Sequence, residues 1–156
     1  MVVACTLAFA SSFASAQAAP AGMWQLNVGG FSYHMPHNKE HNEVNYALGA
    51  EYQWTESIAL QAGVYKNSGN RNSVYLFTQY HPFEVYGVRL GLTAGLVNGY
   101  PTLNDGKFGR IALPSFSKQF KHFGIDGIFM PQIGSKEGVA FVGFKFPFDE
   151  MKGWVK

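Results

Sequence analysis

The sequence contains very little cysteine and little charge. Its 156 residues include one cysteine, and 14% of them are charged. The cysteine, Cys5, lies in an apolar leader, so the chain that follows has no thiol for a disulfide or a metal thiolate site. Acid–base and hydroxyl chemistry remain, and we predict no cofactor. A net charge of +2 is too small to point to a nucleic acid partner.

Long hydrophobic runs are also lacking. Outside the leader, no stretch reaches the roughly 18 apolar residues that a transmembrane helix needs. Any insertion into a membrane must therefore use strands. High aromatic and low charged content suits a barrel with aromatic girdles better than a soluble domain.

The leader resembles a secretory signal. The apolar run 7–10 leads to small-residue cleavage patterns ending at Ala16 and Ala18. No basic residue precedes the run, so we expect the true start to lie upstream of Met1. A lipoprotein signal ending at Cys5 is an alternative, although the cysteine comes too early for one.

These features predict three parts. The signal peptide is predicted at 1–18, a β-barrel domain at 19–148, and a C-terminal tail at 149–156.

Instead of long apolar runs, the chain has short segments in which apolar residues alternate with polar or small ones. In the last apolar segment, 139–148, one parity is wholly apolar and the other is mixed. Eight such segments occur, at 24–34, 44–54, 57–66, 72–81, 87–98, 108–116, 122–131 and 138–148. Most of these lengths are close to the 9–11 residues that cross a bilayer at a tilt, and a closed sheet pairs every backbone group inside it. The pattern predicts an all-β fold, an eight-stranded antiparallel transmembrane β-barrel.

Two features of the segments qualify this prediction. A soluble calycin-like barrel is the competing fold, but it would need an apolar interior, whereas here the more continuous parity is apolar and the other is polar. Pro114 interrupts the sixth segment, which is therefore the weakest. On the inward parity, we expect Glu51, Arg89 and Asp126 to pair with each other or with water.

The topology predicts which residues can meet. With the N-terminus in the periplasm, the connections 35–43, 67–71, 99–107 and 132–137 lie on the cell-surface side, and 55–56, 82–86 and 117–121 lie on the periplasmic side. His34 ends the first strand, and Asn67 and Ser68 follow the third, so all three fall on one external rim. A histidine can take a proton from a hydroxyl near neutral pH, and a serine hydroxyl can be or orient a nucleophile.

Several short motifs resemble the PagP family, the lipid A palmitoyltransferases of the Gram-negative outer membrane. They are Ser32-Tyr33-His34, Tyr65-Lys66-Asn67-Ser68, Gly91-Leu92-Thr93-Ala94-Gly95-Leu96, Ile111-Ala112-Leu113-Pro114, Met130-Pro131 and the closing aromatic strand. The likeness spans about residues 30 to 148, and the Gly-x-Thr-Ala-Gly run is its most specific part.

The resemblance implies transfer of a palmitoyl-like chain from a phospholipid to lipid A by a monomer embedded in the outer membrane. His34 would be the general base, Ser68 its hydroxyl partner and Asn67 the orienting residue. Pro114 and Pro131 match prolines that, in the family, loosen strand pairing so that lipid reaches the interior sideways.

The chain also departs from the family. The family has aspartate where this chain has Asn67, which can hold an imidazole but cannot offset its charge; Glu40 or Glu43 could supply that carboxylate. The family's helix before the first strand is missing, and its ruler glycine falls at Gln79, where a polar side chain would shorten the acyl pocket.

Three alternatives to acyl transfer can be compared with the sequence. His34, His37 and His41 beside Glu40 and Glu43 could bind a metal, although their spacing suits a flexible loop, and we predict no metal site. A PagL-type lipid A deacylase needs a His-x-Ser motif that is absent here. The leading alternative is a non-catalytic outer-membrane barrel whose loops have an adhesive or structural role.

Overall fold

The chain folds into a closed antiparallel barrel of eight strands, in which each strand pairs with its sequence neighbours and β1 pairs with β8. The computed structural model describes residues 19–37, 40–132 and 137–151. The predicted signal peptide lies outside the described residues, as does most of the predicted tail. Within the described ranges, no helix is long and apolar enough to cross a membrane.

The strand bounds are close to those predicted. The strands are β1 (Trp24–Met35), β2 (Val44–Gln53), β3 (Ile58–Lys66), β4 (Asn72–Val85), β5 (Val88–Val97), β6 (Gly109–Gln119), β7 (Gly124–Met130) and β8 (Gly138–Pro147), followed by a short helix, α1 (Phe148–Met151). The predicted all-β barrel fold is confirmed.

The two ends of the barrel differ. One end, which we call the loop end, carries the connections 36–43, 67–71, 98–108 and 131–137. The other, the turn end, carries the tight turns 54–57, 86–87 and 120–123 and both ends of the barrel domain. The predicted turns 82–86 and 117–121 are displaced because β4 and β6 run several residues further than expected.

The outer surface is apolar and aromatic. Large exposed side chains at the turn end include Trp24, Trp54, Tyr80 and Phe83, and those at the loop end include Phe31, Tyr33, Tyr46, Phe108 and Phe129. Two aromatic girdles flanking an aliphatic band are typical of a barrel that crosses a bilayer. Buried polar side chains face inward.

A β-bulge in β1 changes which side chains face the interior. Asn27 and Gly29 are the register positions on either side of it, and the shift occurs against both β2 and β8. Gly29 has φ +98°, a conformation that residues with a side chain rarely adopt. Strict alternation from Trp24 would point His34 outward. The bulge adds one residue, so Phe31 and Tyr33 face outward and His34 is buried.

The seam between β6 and β7 is the least complete. Register pairs join these strands from Ser115 with Ile128 to Gln119 with Gly124. Among the described residues, no register pair joins the loop-end half of β6, Gly109–Pro114, to β7; we call this the open seam. Pro114 does not interrupt the strand, since it pairs with Leu92 of β5. Its missing N–H removes a donor at the place where pairing with β7 stops.

Candidate functional site

His34 lies at the loop end, inside the barrel wall. It is 2% exposed, and its Nδ1 is buried without a hydrogen-bond partner. Its ring stacks on that of His41 with centroids 4.1 Å apart. His34 is opposite Val139 of β8, which in turn is opposite Met130 of β7. The imidazole is therefore two strands away from the open seam.

Asn67 organises the connection between β3 and β4. It is 1% exposed. Its amide Nδ2 donates to Ser73 Oγ at 2.9 Å and to the carbonyl of Gly99 at 3.1 Å. Its Oδ1 accepts from the backbone N–H groups of Gly69 and Arg71. Both amide hydrogens and both lone pairs are thus used within the β3–β4 connection and its neighbours, and none is directed at an imidazole.

Ser68 and His34 both contact the loop 36–43. The backbone N–H of Asn42 donates to the carbonyl of Ser68 at 2.8 Å, while the neighbouring residue His41 stacks on His34. Asn42 also donates through its side chain to the carbonyl of Asn67 at 3.4 Å. The three predicted site residues therefore share one rim. In the described part of the chain, no hydrogen bond joins His34 to Asn67 or Ser68.

Acidic residues surround the histidines of this rim. His41 Nε2 lies 2.8 Å from Glu137, which links the first loop to the last, and His37 Nδ1 lies 3.1 Å from Glu43. Glu43 is thus a carboxylate of the predicted loop, but it pairs with His37 and not with His34. No group of three or more histidine, cysteine or acidic residues is placed to hold a metal ion in the ranges that the structure describes.

Aromatic side chains fill the loop-end half of the interior. Tyr75 reaches across from β4, and its hydroxyl accepts from Asn27 of β1 at 3.4 Å. Phe77 stacks on Tyr75 with centroids 5.0 Å apart. Tyr100 joins them from the loop before β6, with its hydroxyl 2.6 Å from that of Tyr65. The remaining members of this aromatic cluster are Val97, Leu103 and Ile111.

The turn-end half of the interior is charged. Lys145 Nζ lies 2.7 Å from Glu51 and 2.8 Å from Asp126, and all three residues are buried. Gln61 donates to both carboxylates, and Gln79 donates to Asp126 at 3.3 Å. These five side chains form what we call the charged network. Gln79, the position predicted to shorten an acyl pocket, is thus part of this polar network.

The sequence interpretation missed the cation of this network. Glu51 and Asp126 are buried and paired as expected, but their partner is Lys145, and Arg89 donates instead to the backbone carbonyl of Glu56. Lys145 lies on the inward parity of the last strand, which is the signal that could have identified it. The role of Tyr75 was also missed, because a tyrosine at an inward position does not indicate how far it reaches.

Comparisons with known proteins support the fold alone. The sequence matches no protein-family model, and no curated protein matches it. The structure is similar to a de novo designed transmembrane β-barrel, with a TM-score of 0.51 and 11% identity over 84% of this chain and 99% of that one. It is also similar to the N-terminal β-barrel domain of Pseudomonas aeruginosa OprF, at 17% identity over 83% of this chain and 100% of that one. The TM-score of that match is 0.46. The chain therefore has the fold of a small transmembrane β-barrel.

Proposed function

We propose that the protein is an outer-membrane acyltransferase that moves a palmitoyl-like chain from a phospholipid to a hydroxyl of lipid A. The observation that carries the proposal is His34, a buried imidazole with an unpartnered Nδ1, two strands from the open seam. An unsatisfied buried nitrogen is costly unless a ligand completes it. The loop end, with the longer connections, would face the cell surface, where lipid A resides.

The chemistry assigns one role to each group. His34 takes the proton from the acceptor hydroxyl, whose oxygen attacks the ester carbonyl carbon of the donor phospholipid. The bond from that carbon to the glycerol oxygen breaks, and the proton returns to this oxygen, so a lysophospholipid leaves. Ser68 is proposed as the hydroxyl partner that orients the acceptor. Asn67 would act by holding the β3–β4 connection that carries Ser68, because its own polar atoms are already engaged.

The open seam supports lateral access. A donor lipid in the membrane could pass its acyl chain between β6 and β7 beside Pro114, where register pairing is absent. The chain would meet the aromatic cluster first and the charged network below it. Tyr75 lies along the inner wall over Gly63 and Gly49, so an acyl chain in the loop-end half of the interior would pack against its ring.

The test is lipid A mass spectrometry after expression of the full chain in a Gram-negative host. We expect an added acyl mass with the native chain, none with His34→Ala, and a reduced amount with Ser68→Ala. His122→Ala is the matched control, because His122 is exposed at the opposite end of the barrel and pairs with Glu150. An unchanged gain after His34→Ala, or no gain from the native chain, would refute the catalytic proposal.

The second candidate function is a non-catalytic barrel whose loops bind a surface partner. The aromatic cluster favours it, since Tyr75 covers the inner wall from β4 to β1 and Tyr100 and Leu103, from the loop above, pack against the cluster. A filled interior leaves the loops as the accessible surface. In that case, replacing loop 36–43 alters adhesion of the bacteria, and His34→Ala changes neither adhesion nor lipid A.

A further inference from the structure

The outer surface of the barrel carries a groove near the loop end, on β2, β3 and β4. Its volume is about 560 Å³. The outward-facing residues that line it are Tyr46, Leu48, Val64, Lys66, Asn72 and Val74. Leu48, Val64 and Val74 form one cross-strand row along its floor, and they are 62%, 50% and 44% exposed. The groove is therefore a largely apolar depression in the barrel wall, which the inward-parity residues Ala47, Tyr65 and Ser73 also line.

Small residues lie next to the groove on its turn-end side, where Leu26 and Leu76 flank two alanines in one cross-strand row. The next cross-strand row below Leu48 and Val64 pairs Ala50 with Ala62. Tyr46 stands beside the groove and is 73% exposed. Two alanines below a larger aromatic side chain leave a track along the barrel wall. A track of this kind fits the long axis of a lipid acyl chain better than a rounded ligand.

A cation lies at the loop-end mouth of the groove. Lys66 is the cross-strand partner of Asn72, one row above Val64 and Val74. Lys66 is exposed, and no salt bridge engages it in the described part of the chain. Arg71, also exposed, lies at the other side of the same hairpin connection, where its carbonyl accepts from the N–H of Asn67. The hairpin therefore places one positive charge, that of Lys66, at the loop-end edge of the apolar groove, with Arg71 nearby in the connection.

Two described carboxylates of the loop end are paired with histidines. Glu43 pairs with His37 at 3.1 Å, and Glu137, from the last loop, pairs with His41 at 2.8 Å. The amide of Asn72 adds a neutral donor beside Lys66. An ammonium and an amide together can hydrogen-bond the oxygens of a phosphate.

We infer that this groove binds an anionic, phosphate-bearing membrane lipid. Its phosphate sits at Lys66 and Asn72, and one acyl chain runs along Leu48, Val64 and Val74 toward Ala62. The transmembrane fold places this aliphatic floor against acyl chains, and the charge above it is complementary to a lipid with net negative charge. His34 does not line the groove, so the inference can be tested separately from acyl transfer.

Native mass spectrometry of the full chain in detergent tests the inference. The purified protein is mixed with equal amounts of phosphatidylglycerol and phosphatidylcholine that have identical acyl chains, and the bound lipids are counted. We expect phosphatidylglycerol to be retained preferentially. Lys66→Gln should reduce that preference about fivefold, the factor that one lysine near an anionic lipid typically supplies. Lys66→Arg should keep it.

Two further variants separate a specific site from general surface charge. Arg110→Gln is the matched control, since Arg110 is an exposed cation near the same end on β6 and is not part of the groove. It should leave the preference unchanged. Val64→Trp fills the groove but keeps Lys66, so it should lower retention of both lipids. Each variant is checked for folding by its migration on unheated gels.

Two results would overturn the inference. If the preference for phosphatidylglycerol survives Lys66→Gln, Lys66 does not bind the lipid phosphate. An equal loss from Arg110→Gln would show a diffuse electrostatic effect. Unchanged lipid A acylation in the Lys66 variants, measured in the same host, distinguishes this surface site from the proposed reaction centre.

Discussion

The two halves of the barrel interior contain different kinds of buried side chain. In the turn-end half, Glu51 and Asp126 share Lys145 and are further hydrogen-bonded by glutamines. In the loop-end half, aromatic rings replace charges, and His34 Nδ1 has no partner. The ion pairs fix the geometry of the charged network, but buried polar atoms without a hydrogen-bond partner occur in both halves, at Gln25, Gln53 and Gln119 as well as at His34.

The same contrast appears in the wall. Toward the turn end, all neighbouring strands are paired, including β6 with β7 from Ser115 onward, although the register of β4 on β5 shifts between Tyr80 and Phe83. Toward the loop end, that pairing stops at Pro114, and the bulge at Gly29 has rotated β1 so that His34 faces inward. We therefore expect the turn-end half to contribute most to stability and the loop-end half to be more accessible to a ligand. Four substitutions test this difference, from the largest expected effect to the smallest.

Removing the cation of the charged network should cost the most. Lys145→Met leaves two buried carboxylates close together without a positive charge, and breaking a buried pair in this way costs about 3–5 kcal/mol. The free energy of unfolding in urea, followed by tryptophan fluorescence in detergent micelles, measures the loss. Lys121→Met, which changes an exposed lysine in a turn, should be neutral. Equal stability of the two variants would contradict the assigned role of the network.

Disrupting the bulge should move His34. Gly29→Ala places a Cβ 2.6 Å from the backbone nitrogen of Ala47, at φ +98°, and such strain costs about 1–3 kcal/mol. If β1 slips to relieve it, His34 turns outward and reacts faster with diethyl pyrocarbonate. Gly22→Ala is the control, because Gly22 also has a positive φ, +86°, but its added Cβ meets nothing within 4 Å. Unchanged His34 reactivity in Gly29→Ala would mean that the bulge does not set the orientation.

Asn67→Asp introduces the carboxylate that the PagP family has at the matching position. It also removes two hydrogen bonds that the Asn67 amide donates. The loss of the bonds to Ser73 and the carbonyl of Gly99 should cost about 1–3 kcal/mol, since a carboxylate has no N–H to replace the amide. Thermal unfolding and lipid A acylation are measured together. A more stable variant would contradict the structural role of the amide, and higher acylation despite lower stability would show that the carboxylate acts on His34.

The smallest effect should come from the loop above the aromatic cluster. Tyr100→Phe removes the hydroxyl that lies 2.6 Å from that of Tyr65, at a cost of about 0.5–1.5 kcal/mol. Because the ring remains, packing is retained, and the loop 98–108 should exchange its amide hydrogens faster while the turn end does not change. Faster exchange around Lys145 as well would show that the two halves are coupled.

The alternation of the chain was sufficient to predict the strands, because it is a local signal repeated eight times. The inward position of His34 could not be predicted in this way, since one added residue at Gly29 reverses the parity of everything after it. The pairing of Glu51 with Lys145 depends on which strands meet at closure, 94 residues apart, and no local pattern contains that information.

Closure of β1 on β8 has a consequence for the order of assembly. Glu51 and Asp126 enter the fold on β2 and β7, but the lysine that neutralises them arrives on the last strand. Until that strand docks, a partly assembled chain has two free edges and an excess of negative charge in its interior. Docking of the last strand therefore removes the free edges and balances the interior charge in a single late event, so a product truncated before Gly138 should not insert into a membrane.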